Sequence, residues 1–145
     1  KKKGFTQVLW LDAAQRKFVE EVGTMNMFFV IDDEVITAPL GGSILPGVTR
    51  ASVIHMVKDW GMKMSERFLA IDEVISAAQN GRLKEAFGTG TAAIISPVGQ
   101  VTYKGRDYVV AGGKMGALSQ KLYNEIVAIQ YAEKKDPYGW RMKIG

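Results

Sequence analysis

Three short stretches of the chain combine residue types that hold anions or place a charge. In Leu45-Pro46-Gly47-Val48-Thr49-Arg50 a loop runs into a helix. The N–H groups of a first helical turn lack internal partners and sit at the positive end of the helix dipole, which suits a phosphate, and the Thr49 hydroxyl adds a donor. The same residues also read as a Pro-Gly turn with Thr49 as helix cap. In Phe87-Gly88-Thr89-Gly90-Thr91-Ala92, small residues let backbone amides approach an anion and two threonines offer hydroxyls. No Gly-Lys-Ser/Thr follows, so this is no Walker A loop, and on these residues alone a tight loop between strands is the simpler account. In Glu20-Glu21-Val22-Gly23-Thr24-Met25-Asn26 a carboxylate precedes an apolar run. Such an acid is either solvated at a strand edge or held for a purpose, because burying an unpaired carboxylate is costly.

The rest of the composition narrows the chemistry. The 145 residues contain no cysteine and one histidine, His55. Thiolate metal sites, disulfides and a cysteine nucleophile are excluded, and so is a histidine metal cluster. A net charge of +4 includes Lys1-Lys2-Lys3, which reads as a solvated end or the tail of a helix that begins earlier. No basic stripe interleaved with aromatics marks a nucleic-acid partner. The apolar runs Met25–Ile31 and Ala92–Ile95 are too short to span a bilayer and no secretory leader opens the chain, so no membrane role and a cytoplasmic location are expected.

The elements that must position these stretches follow from periodicity. With 47% hydrophobic residues and no repeat or linker, one domain is expected. Strands are predicted at Gln7–Leu11, Phe18–Val22 and Met25–Ile31, with Asp32-Asp33-Glu34 turning the chain into Val35–Ala38. Val53, Ile54, Val57 and Trp60 recur at helical spacing until Gly61. Met62–Phe68 reads as a strand, then a short helix capped by Asp72 runs to Ala78. Leu83–Phe87 is extended and leads into a glycine loop, followed by strands at Ala92–Ile95, Gln100–Tyr103 and Tyr108–Val110. A last helix covers Leu118–Tyr131. Strands and helices mix without strict alternation, so the fold class is α/β in the mixed, α+β sense rather than a doubly wound sheet.

Taken in order, the blocks Gln7-Val8-Leu9-Trp10-Leu11-Asp12, Glu21-Val22-Gly23-Thr24-Met25-Asn26, Ile44-Leu45-Pro46-Gly47-Val48-Thr49-Arg50, Phe87-Gly88-Thr89-Gly90-Thr91-Ala92 and Ile129-Gln130-Tyr131 resemble the branched-chain amino-acid aminotransferases. These are fold-type IV pyridoxal-phosphate enzymes. The resemblance implies that residues 1–145 are the C-terminal part of the large cofactor-binding domain. It also implies an activity, transfer of the amino group between leucine, isoleucine or valine and 2-oxoglutarate, and a homodimeric parent. By the same resemblance Glu21 pairs with the ring nitrogen of pyridoxal 5′-phosphate and makes the ring a better electron sink. Leu45 packs near the ring. Val48, Thr49 and Thr91 hold the phosphate, the amides of Thr91 and Ala92 hold the substrate carboxylate, and Thr24 lies near the substrate. A related fold-type IV transaminase or lyase is the nearer alternative, disfavoured by Thr24-Met25-Asn26, and a non-catalytic phosphate-binding scaffold is the more distant one.

Departures from the family pattern carry expectations of their own. Where some members have Cys-x-x-Cys this chain has Ala93 and Ser96, so no disulfide switch is expected. The lysine that holds the cofactor in the family stands in a segment preceding Lys1, together with a smaller N-terminal domain that supplies a phosphate-binding arginine. Lys114, between glycines, imitates that lysine superficially but falls at the entry to the last helix, and Arg50 begins a helix that points elsewhere. His55, mid-helix, is read as structural. The 145-residue chain alone is therefore expected not to catalyse transamination, and to associate with itself or with the remaining N-terminal portion.

Overall fold

A computed structural model describes residues 4–144, so the lysine run Lys1–Lys3 lies outside the described residues. The organising element is β3 (Met25–Ile31), in which all residues but the first are buried. A run apolar on both faces of a two-residue period is stable only where both faces are covered, and this strand takes the interior position. Along one edge it pairs antiparallel with β2 (Val19–Val22) and β4 (Glu34–Thr37), and along the other with β6 (Leu83–Gly90). The sheet is completed by β1 (Leu9–Leu11) on β2, β5 (Lys63–Glu66) on β4 and β7 (Ile94–Pro97) on β6. Among the described residues only β4 and β5 are parallel, and the connection that parallel pairing demands is α1 (Val48–Asp59). A separate hairpin, β8 (Gln100–Tyr103) with β9 (Arg106–Val109), follows the sheet.

Each face of the sheet has its own core. Phe28 and Val30 face α1, through Val53 and Val57, and α3 (Ala117–Gln130), through Leu122 and Ile126. Met27, Phe29 and Ile31 face the opposite way, onto Leu69 and onto Val74 and Ile75 of α2 (Ile71–Gln79). Phe28 and Phe87 are directly opposed in register and their rings stack at 5.3 Å, pinning β6 to β3. The result is a mixed α/β architecture with helices on both sides of a largely antiparallel sheet.

Several expectations need correction. The glycine stretch is not a loop up to Gly90: β6 continues through it, because β3 and β7 pair with its two edges and a side chain at position 88 would collide with Val22 and Met25. The strand expected at Ala92–Ile95 accordingly starts later, at Ile94, after a turn over 91–93. Asp72 does not cap α2. Ala70 occupies the cap and Asp72 lies in the first turn, where its charge still favours the helix dipole. Thr49 is no cap either, since α1 starts from Gly47 with no side-chain cap bond.

Candidate functional site

The three stretches meet at one end of the sheet. In the β2–β3 pairing Glu21 stands opposite Asn26, so the two side chains share a face. Asn26 is 5% exposed and its Nδ2 donates to Glu21 Oε1 at 3.0 Å and to the Leu45 carbonyl at 2.8 Å. The Leu45 N–H donates to the same Glu21 oxygen at 3.2 Å. Glu20, the neighbouring acid, accepts from Ser43 Oγ at 2.7 Å and helps hold the same loop. The loop before α1 is thus stitched to β2, and Glu21 keeps one oxygen engaged while Oε2 has no partner among the described residues.

The start of α1 lies immediately beyond. Gly47 is extended (φ −66°, ψ 137°), and a Cβ there would meet Asn26 Oδ1, so the loop approaches β3 as closely as a glycine permits. The N–H groups of Val48, Thr49 and Arg50 have no acceptor among the described residues, and the Thr49 hydroxyl is also free there. Leu45 and Val48 are exposed and Thr49 is half-buried. Arg50 turns away as expected: its Nη2 donates to the Ala38 carbonyl at 2.8 Å and to Glu66 Oε2 at 2.9 Å, which ties α1 to the ends of β4 and β5.

The β6 stretch reaches the same place through register. Thr89 lies opposite Asn26 on β3, 1% exposed, and its hydroxyl has no partner among the described residues. Thr91 and Ala92 occupy the exposed β6–β7 turn. Thr24 is exposed in the β2–β3 turn, and its neighbour Met25 packs on Gly90, so the two turns stand side by side. Among the described residues no hydrogen bond joins Thr91, Ala92 or Thr24 to the α1 start. Glu21, Leu45, Val48 and Thr49 are therefore directly brought together, and the other three are grouped at the same sheet end.

Two functional candidates escaped the sequence reading. Asn26 carried a signal: it is the one polar residue of the Met25–Ile31 strand, and a polar group in such a strand must find partners. Thr89 carried none beyond its place in the glycine stretch. Lys114 is exposed after the 3-10 turn Ala111–Gly113, before α3. His55 is an exposed α1 residue whose ring meets Tyr138 edge-on at 5.0 Å. Among the described residues no group of His, Asp and Glu is arranged to hold a metal, and no helix is long and apolar enough to cross a membrane.

Residues 1–101 match the profile of the Amino-transferase class IV family. The chain belongs to the class IV aminotransferases. This class IV chain is 51% identical over 142 residues to branched-chain-amino-acid aminotransferase 2 of Bacillus subtilis, covering 98% of its own length and 39% of that protein. It is 50% identical over 141 residues to branched-chain-amino-acid transaminase 1 of the same organism, covering 97% and 40%. Its fold is similar to the crystal structure of the Escherichia coli branched-chain amino acid aminotransferase, with a TM-score of 0.79 at 27% identity over 96% of this chain and 43% of that one. It is also similar to the branched-chain aminotransferase of Thermoproteus uzoniensis, solved with norvaline, with a TM-score of 0.74 at 29% identity over 92% and 40%. The chain thus spans about two fifths of the length of the relatives it matches.

Proposed function

We propose that this domain binds pyridoxal 5′-phosphate as part of an enzyme that moves amino groups between branched-chain L-amino acids and 2-oxoglutarate. The observation that carries the reading is the pairing of a half-engaged carboxylate with an unfinished helix start. Glu21 presents one free oxygen beside a turn of α1 whose first N–H groups are unsatisfied. A cofactor with a protonated ring nitrogen at one end and a phosphate at the other matches these two features in sign, and the buried hydroxyl of Thr89 marks a further unfilled bond.

On this reading Glu21 holds the proton on the ring nitrogen, and Leu45, exposed in the loop between the two features, lies against the ring. The N–H groups of Val48 and Thr49, the Thr49 hydroxyl and Thr91 receive the phosphate. Amides of Thr91 and Ala92 orient the substrate carboxylate, with Thr24 beside the substrate. When bound, the cofactor supplies an electron-accepting ring. The residues of this chain bind, orient and hold the ring proton. The lysine that holds the cofactor, the remaining N-terminal portion, a homodimeric assembly and a cytoplasmic location complete the proposal, which makes residues 1–145 the C-terminal part of the large domain.

The reading is supported by the class IV profile and by relatives named for branched-chain amino acids. Its test is amino transfer by the full-length protein, with leucine, isoleucine, valine and D-alanine as donors and 2-oxoglutarate as acceptor. Turnover with the branched L-amino acids is expected. Turnover with D-alanine alone would assign the chain to another class IV branch, and an inert protein that still binds the cofactor would make it a scaffold.

A further inference from the structure

Glu21 is the last residue but one of a short strand, and a glutamate there has three rotatable side-chain bonds with which to point its carboxylate anywhere. Fixing it costs conformational entropy, so a single orientation requires an anchor. That anchor is short, buried and directly opposite. Asn26 is 5% exposed, and its Nδ2 bonds Glu21 Oε1 at 3.0 Å and the Leu45 carbonyl at 2.8 Å at the same time. Both amide hydrogens are used, which fixes which way the amide faces. Turned over, its oxygen would stand against two acceptors and its NH₂ would be pressed toward Gly47.

We propose that Asn26 is the positioning residue that aims the free oxygen of Glu21 at the ring nitrogen and locks it in one frame with the α1 start. The proposal rests on the reading of Glu21 as the ring-nitrogen partner. Through Leu45, whose N–H also bonds Glu21 Oε1 at 3.2 Å, the same amide fixes the loop leading into α1. The two ends of the cofactor site, carboxylate and helix start, are thereby set at one spacing by a single buried side chain. Asn26 acts through Glu21 and does not itself touch the cofactor.

The test compares two ligands of the full-length apoprotein: pyridoxal phosphate, and its analogue with carbon in place of the ring nitrogen. Dissociation constants are read by fluorescence quenching in the wild type, in Asn26→Ala and in the near-isosteric, donor-free Asn26→Leu. The wild type is expected to prefer the natural cofactor by about tenfold or more, the effect of one hydrogen bond between charged groups. In both variants that preference should fall at least threefold, because Glu21 is no longer aimed. A merely structural role would weaken both ligands alike and leave the ratio at the wild-type value, which overturns the proposal. Where Asn26→Ala does not fold, the ratio measured in Asn26→Leu decides between these outcomes. A wild type that fails to distinguish the two ligands refutes instead the role of Glu21, and the two failures are thereby told apart.

Discussion

Helices α1 and α3 both begin at a glycine with no room for a side chain, since a Cβ on Gly47 would meet Asn26 and one on Gly116 would meet Glu85. At α3 the chain supplies its own anion. Glu85, 8% exposed on β6, accepts from the N–H groups of Leu118 at 2.8 Å and Ser119 at 2.9 Å and from the Ser119 hydroxyl at 2.7 Å. At α1 the nearest carboxylate, Glu21, is engaged by Asn26 and by the Leu45 N–H ahead of the helix, and the first turn is left without an acceptor among the described residues. The same electrostatic need is met internally in one helix and left open in the other. A carboxylate that closes a helix start stabilises the fold, whereas one held short of it leaves that start open, the opening that the proposed function fills with a phosphate.

The largest effect expected from this contrast is on stability. Glu85→Ala strands buried donors at the α3 start, and denaturant unfolding should show a loss of about 3–5 kcal/mol. Glu21→Ala should cost less, about 1–2 kcal/mol, since the exposed Leu45 N–H can turn to water and the buried Asn26 amide keeps its bond to the Leu45 carbonyl, yet lower turnover of the full-length protein by about a hundredfold or more. A Glu21 variant as unstable as the Glu85 variant, or one with near-normal turnover, would erase the distinction between the two carboxylates.

Smaller changes sharpen it. Thr49→Val and Thr91→Val should each weaken cofactor retention, by about 1.5–3 kcal/mol for a hydroxyl bond to a charged phosphate, measured by equilibrium dialysis. Unchanged retention in both would remove these hydroxyls from the phosphate site. The smallest effect concerns pH and lies away from both helix starts. The Ser65 hydroxyl, outweighing the effect of burial together with the charges of Arg67 and Lys63, holds the Glu34 carboxyl below its ordinary value of 4.5. A depressed folded-state value means that its contribution is complete above that ordinary value and is lost as pH falls through the lower one. Melting temperature against pH should therefore fall less steeply below about pH 4.5 in Glu34→Gln than in the wild type.

What the sequence made legible follows from where local signals decide. The strand Met25–Ile31 is apolar on both faces, the turn at Asp32-Asp33 is polar, and α1 has helical spacing, so pattern alone suffices for each. The end of β6 was not legible, because Gly88 and Gly90 carry no strand preference and become strand only through pairing with β3 and β7. Glu21, Leu45 and Thr49 were legible as site candidates, the first two through the family resemblance and Thr49 also from the loop-to-helix pattern. Asn26 was not, since its role arises from a register that places it opposite Glu21 and from a loop nineteen residues onward in the chain. Thr89 is found only by its buried, unpaired hydroxyl.

Backbone hydrogen exchange at the two helix starts, followed by mass spectrometry in the full-length protein with and without pyridoxal phosphate, tests the central claim most directly. The amides of Val48 and Thr49 should exchange freely in the apoprotein and slow at least tenfold on loading, while those of Leu118 and Ser119 stay slow in both states. Equal exchange at Val48 and Thr49 in the two states, with the cofactor demonstrably bound, would contradict the assignment of the α1 start as its phosphate site.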